Sequence, residues 1–109
     1  VKREVITYNE IEGFHKYANA PQWVGYLSAL HRHIFVIRCW AEVSHNEREI
    51  EIITLQYLIE KRINNKYGKP AQFGDMSCES IAEWLLTNIP NLTKVEVLED
   101  GFGGATLTR

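Results

Sequence analysis

Residues 31–43 read His31-Arg32-His33-Ile34-Phe35-Val36-Ile37-Arg38-Cys39-Trp40-Ala41-Glu42-Val43, and this stretch decides the fold. Its wealth of Ile, Val, Phe and Trp marks a β-strand. Side chains alternate across a strand, so one face carries His31, His33, Phe35, Ile37, Cys39, Ala41 and Val43. The other carries Arg32, Ile34, Val36, Arg38, Trp40 and Glu42. Apolar side chains stand on both faces. One face is therefore expected to be covered within the chain and the other by neighbouring subunits.

Upstream, residues 5–15 place Val5, Ile6, Tyr8, Ile11 and Phe14 at strand-like spacing. Residues 16–25 form a loop with Asn19, Pro21 and Gly25. Downstream, the polar residues 44–49 make a second loop, in which His45 reads as solvated. Thr54 is the expected N-cap of a helix. Leu55, Leu58, Ile59 and Ile63 recur there at helical spacing, with Tyr67 one turn on. Gly68 suits the left-handed C′ position and Pro70 blocks continuation. Glu60-Lys61-Arg62 is a solvated helix face. A second helix follows Ser77, with Ile81, Trp84, Leu85 and Ile89 as its apolar stripe and Pro90 as its stop. Residues 93–99 return to alternation, with Val95, Val97 and Glu99 in one row. Asp100-Gly101 predicts a hairpin turn into a last strand at 105–108. The order β-β-α-α-β-β implies an α+β domain, with a four-stranded antiparallel sheet and two helices on one face. No repeat or linker interrupts residues 1–109, which are expected to form one domain.

Composition narrows the function without naming it. The chain has 109 residues, with 12 Lys plus Arg against 14 Asp plus Glu and a formal net charge of −2. That balance lacks the basic footprint of a dedicated nucleic-acid binder. No apolar run is long enough to span a bilayer. The opening Val1-Lys2-Arg3-Glu4 has no signal-peptide apolar region. Cys39 and Cys78 fall in different elements without a CxxC spacing. Both read as reduced thiols of a cytoplasmic protein, Cys39 as a small core residue.

The histidines say more. His31 and His33 point the same way, about 7 Å apart by strand rise. His15 ends the preceding extended segment. If the two strands pair as antiparallel neighbours, His15 lies beside that pair. Three imidazoles with an open position form a usual catalytic zinc site. Spacing alone leaves metal ligation and an incidental HxH as equal readings. Trp84 reads as core and Trp40 as sheet or interface. Trp23, in the loop beside the histidines, is kept as a ligand contact. Arg32 and Arg38 share a face and read as an ion-paired or interfacial pair in preference to a phosphate site. The glycines of residues 101–104 do not open a helix, so they make no P-loop.

In order along the chain, Gly13-Phe14-His15, His31-Arg32-His33-Ile34-Phe35, Ser77-Cys78-Glu79-Ser80-Ile81-Ala82-Glu83-Trp84 and Val95-Glu96-Val97-Leu98-Glu99 resemble the 6-pyruvoyl-tetrahydropterin synthase / 6-carboxytetrahydropterin synthase family. The resemblance implies the tunnelling fold, whose subunits join their sheets into a barrel as trimers or hexamers. It implies Zn²⁺ on His15, His31 and His33, and Glu99 as the anchor of a pterin ring. A carboxylate suits that task, because it accepts two parallel N–H bonds from a 2-amino-4-oxo pyrimidine edge. The chain departs from the family in three places. Leu27 stands where the family has its catalytic cysteine. The Asp-His pair after the first helix is reduced to Asp75, and the glycine of HGH has become Arg32. The proton-transfer group is left unassigned, with Tyr26, Ser28 and Asp75 as candidates. The resemblance therefore implies zinc-dependent lyase-type chemistry on a reduced pterin such as 7,8-dihydroneopterin triphosphate. The alternative is an oligomeric pterin- or purine-nucleotide-binding protein without catalysis. Neither reading involves nucleic acid or membrane.

Overall fold

The computed structural model describes residues Val1–Arg109. Strands β1 (Arg3–His15) and β2 (His31–Val43) pair antiparallel over their whole length, from Arg3 opposite Val43 to His15 opposite His31. Between them runs a short 3-10 segment, Gln22–Ser28, which begins inside the expected loop of residues 16–25 and runs three residues past it. Helix α1 (Ile52–Tyr67), strand β3 (Ala71–Gly74), helix α2 (Cys78–Asn88) and strands β4 (Leu92–Glu99) and β5 (Gly103–Thr108) follow. The sheet order is β3-β1-β2-β4-β5.

The expected four-stranded, wholly antiparallel sheet is thus corrected to five strands. The added strand, β3, lies parallel to β1, with Ala71 opposite Gly13. It has 4 residues, too few for period two to register between Pro70 and Asp75. Its inward side chains, Ala71 and Phe73, are buried in the core. Gly13 makes the approach possible. A Cβ there would stand 3.0 Å from the Phe73 ring, 3.1 Å from the Ala71 carbonyl and 3.2 Å from the Phe35 ring. Within one chain the sheet is open, with β3 and β5 as its edges.

Both helices pack on one face of the sheet, α1 on β1 and β3, α2 on β4 and β5. The inward row of β2 meets them, and Phe35, Ile37, Cys39 and Ala41 are fully buried. Ile59 and Ile63 from α1, Ile81 and Leu85 from α2, and Val95 and Val97 from β4 complete one contiguous core. The outer sheet face stays half open, with Ile6 and Tyr8 about half exposed. Arg32 pairs there with Glu12 at 2.6 Å, and Arg38 with Glu96 at 2.7 Å. Arg38 and Lys94 also lie over the Trp40 ring. No helix is long and apolar enough to cross a membrane.

The start of α1 needs a second correction. Glu51, not Thr54, is the N-cap, because its carboxylate accepts from the backbone N–H of both Ile53 and Thr54. A carboxylate reaches two orphan donors of the first turn, where a hydroxyl three residues later reaches neither. Helix α2 starts after Ser77 as expected, and the Ser77 hydroxyl caps it, accepting from the Ser80 N–H. Gly68 ends α1 at φ +90°, the left-handed region that glycine tolerates.

Two outcomes follow. Replacing Ile59, fully buried between α1 and the sheet, with Ala should cost about 2–5 kcal/mol in urea unfolding. Hydrogen bonds from the Thr54 side chain, then from the Ile53 and Thr54 backbones, hold the Glu51 carboxyl below its ordinary value. A depressed carboxylate contributes stability above its unfolded pKa and loses it as pH falls through the folded one. Glu51→Gln should therefore be less stable than wild type at about pH 6, with the gap closing toward about pH 3. A gap independent of pH would contradict the capping role.

Candidate metal centre

The β1–β2 register gathers three histidines at one end of the sheet. His15 ends β1 directly opposite His31, and His33 stands two residues further on the same face of β2. Ring centroids lie 4.6 Å apart for His15 and His31, 5.2 Å for His15 and His33, and 5.0 Å for His31 and His33. The Phe35 ring forms the floor, edge-on to His15 at 5.1 Å and to His33 at 5.6 Å. Phe73 supports Phe35 from below at 5.1 Å.

Each imidazole is held through Nδ1. His15 meets the Met76 carbonyl at 2.9 Å, His31 the Ala29 carbonyl at 2.9 Å, and His33 the Asp100 carboxylate at 2.7 Å. All three partners are acceptors, so Nδ1 carries a proton in each, and in the neutral imidazole Nε2 then keeps its lone pair. The ligand atoms of the three residues lie within 4.8 Å of one another. Nε2 of His15 and of His33 are buried without a hydrogen-bond partner. His15 Nε2 stands 3.0 Å from Glu99 Oε2, and His33 Nε2 stands 3.7 Å from Glu99 Oε1. In this tautomer those contacts set acceptor against acceptor, and a cation among them is what would relieve the arrangement. Buried, unpaired nitrogens with fixed tautomers and a nearby carboxylate fit a metal ion. The cluster could hold one, and an imidazole set suits Zn, Cu, Fe or Ni.

The histidines open into a cavity of about 820 Å³, within the range of small-molecule sites. Glu99 reaches it from the end of β4, in line with the fully buried Val95 and Val97. Cys78, the first residue of α2, also lines it, and its Sγ donates toward Glu99 Oε2 at 3.7 Å. Burial, and then the negative charge of Glu99, pushes the Cys78 thiol up to about 12, so it stays protonated at neutral pH. The hydrogen bond from His33, then one from the Ile34 backbone, holds the Asp100 carboxyl below the usual carboxylate range.

The other sequence candidates divide. Leu27 and Asp75 line the cavity. Asp75 Oδ1 accepts the Ala18 N–H at 2.8 Å, which ties down the loop after β1. Trp23 and Tyr26 are 82% and 74% exposed and do not line the cavity. The Ser28 hydroxyl donates to the Gly25 carbonyl at 2.7 Å. His45 sits far from the cluster in its loop, 3.5 Å from Glu49. Asp100, Cys78 and Phe102 are among the lining residues that the sequence pattern does not assign to the site. Asp100 was legible only as half of an Asp-Gly turn, although its place directly after Glu99 brings it to the same end of the sheet. The chain matches no family model and no curated protein.

Both thiols are buried, and burial pushes Cys39 up to about 12 as well. At about pH 8 an aromatic disulfide reagent should therefore react slowly with the native protein and fast in urea. Rapid reaction of one thiol in the native state would contradict the protonated, enclosed Cys78.

Proposed function

We propose that this chain is a diverged member of the 6-pyruvoyl-/6-carboxytetrahydropterin synthase family. In this reading it binds Zn²⁺ through His15, His31 and His33 and takes a reduced pterin such as 7,8-dihydroneopterin triphosphate into the adjoining cavity. One observation carries the reading: three imidazoles, each pinned by an Nδ1–H to an oxygen, share one cavity with the carboxylate of Glu99. A bound zinc ion supplies Lewis-acid polarisation of a substrate hydroxyl or carbonyl. Glu99 accepts two N–H bonds from the 2-amino-4-oxo edge and so sets which part of the ligand faces the histidines. The tunnelling fold and its oligomeric barrel belong to the same proposal. They are supported by an outer sheet face on which Ile6 and Tyr8 are about half exposed and Ile34, Val36 and Trp40 are only partly covered in one chain. A reducing, cytoplasmic location accords with the two free thiols.

The second reading is an oligomeric pterin- or purine-nucleotide-binding protein without catalysis. Leu27, not a thiol, faces the cavity at the position of the family's cysteine. Tyr26 and Ser28 lie outside it, and Cys78 holds its proton too tightly to serve as a base near neutral pH. Loss of a positioned base removes a typical factor of about 10²–10⁴.

Elemental analysis of protein purified without a histidine tag should find about one zinc per chain. His31→Ala and His33→Ala should abolish it, and metal-free wild type would sink the reading. Light scattering should give a trimer or hexamer of the 12.6 kDa chain. Calorimetry with neopterin, biopterin, guanine and guanosine should show binding of at least one, weakened in Glu99→Gln, where the amide presents a donor. Undiminished binding in that variant would remove Glu99 from the site. Robust turnover of 7,8-dihydroneopterin triphosphate would refute the non-catalytic reading; binding without turnover would establish it.

A further inference from the structure

The turn that joins β4 to β5 does more than reverse the chain. Asp100 has φ +54° and Gly101 φ +79°, and the Phe102 N–H donates to the Glu99 carbonyl at 2.9 Å to close the turn. Such a turn is satisfied by Asn or Gly at its first central position. A carboxylate is not needed for the backbone, yet both oxygens of Asp100 are engaged. Oδ1 accepts the Ile34 N–H at 2.8 Å and Oδ2 accepts the His33 Nδ1–H at 2.7 Å. The Asp100 N–H also donates to the Ile34 carbonyl at 2.9 Å. The carboxylate is therefore fixed to β2 at the residue next to His33.

The other two imidazoles differ. His15 and His31 donate to neutral backbone carbonyls. Only His33 donates to an ionised group. An anionic acceptor at Nδ1 fixes the tautomer, sets the ring plane and raises electron density at Nε2, the atom left buried without a partner.

We propose that Asp100 is a positioning residue of the metal centre: it sets the tautomer and orientation of His33 and makes that imidazole the strongest donor of the three. The proposal rests on reading the histidine cluster as a metal site. The Asp100 carboxylate bonds the His33 ring and the Ile34 N–H, so its influence on the metal centre passes through His33. The β4–β5 turn is thus tied to the centre, and a change in the hairpin would be felt as a change in metal affinity.

The test uses the full chain with Co²⁺ or Zn²⁺, titrated in competition with a chromophoric chelator. Asp100→Asn and Asp100→Gly both accept a left-handed backbone, so the turn survives in each. Glu12→Gln, on the outer sheet face, removes the same charge away from the cluster. Affinity should fall by about 10–100-fold in both Asp100 variants and stay near wild type in Glu12→Gln. Equal affinity in wild type and both Asp100 variants would overturn the proposal. A purely structural turn residue would shift the thermal midpoint of the metal-free protein and leave the following readout unmoved. Long-range ¹H–¹⁵N spectra of the metal-free imidazoles should place the His33 proton on Nδ1 in wild type and move it to Nε2 in Asp100→Gly. A wild-type proton on Nε2 would overturn the proposal whatever the metal does. An Nδ1 proton that moves in the variant, in a wild-type protein that binds no metal, would refute the metal reading and leave the positioning of His33 by Asp100 supported.

Discussion

The pairing of β1 with β2 is the constraint on which the remaining structure depends. These two strands run side by side from Arg3–Val43 to His15–His31, the longest ladder in the sheet. Side chains alternate, so a slip by one residue would turn His15 to the outer face and Phe14 inward. The register is held by the buried row of β2, Phe35, Ile37, Cys39 and Ala41, and by the inward row of β1 beside it. That inward row is partly polar, and α1 reads it. Asn9 Nδ2 donates to the Gln56 carbonyl at 3.1 Å, and Gln56 Nε2 returns a bond to the Tyr8 carbonyl at 3.0 Å. A slipped register would leave the buried Asn9 amide without its Gln56 partner, at a cost of about 1–3 kcal/mol.

The site is an extension of the same core. Phe35 belongs at once to the hydrophobic cluster and to the floor beneath His15 and His33. Gly13 leaves room for Phe35 and Phe73 to meet there, so β3 is drawn against β1 and carries the following segment to the site. That segment supplies the Met76 carbonyl to His15 and the Cys78 thiol to Glu99. An apolar floor on one side and oxygen acceptors around the rim impose one orientation on each imidazole. This is the general way a fold prepares a ligand set, with packing fixing position and outer hydrogen bonds fixing the tautomer.

The chemistry of the cavity is unequal. Its histidine side is fully furnished, with three imidazoles that could hold an ion and Glu99 and Asp100 beside them, converging from β1, β2, β4 and a turn. Its proton-transfer side is sparse. Leu27 offers no acid or base, Asp75 is engaged with the Ala18 N–H, and the Cys78 thiol is protonated.

Local chemistry made much of this readable from the chain alone. Alternation over residues 31–43 defined β2 and its inward row. The stripes through Ile59 and Ile63 and through Ile81 and Leu85 defined both helices, and ordered spacing brought His15 to His31 and His33. These features depend on side chains close in sequence, or on the simplest pairing of consecutive strands. Tertiary structure alone decided the rest. β3 is too short to show a period and exists because Gly13 offers its backbone a close approach. The Glu51 cap is a local contact with the N–H groups two and three residues on, but where α1 starts, at Ile52 and not after Thr54, shows only in the fold. Cys78 and Asp100 lie 45 and 67 positions from His33 by residue number, and only packing of α2 and the β4–β5 turn at one end of the sheet brings them to the same cavity. Hydrogen-bond partners across such separations carry no local periodicity, because they depend on where whole elements dock.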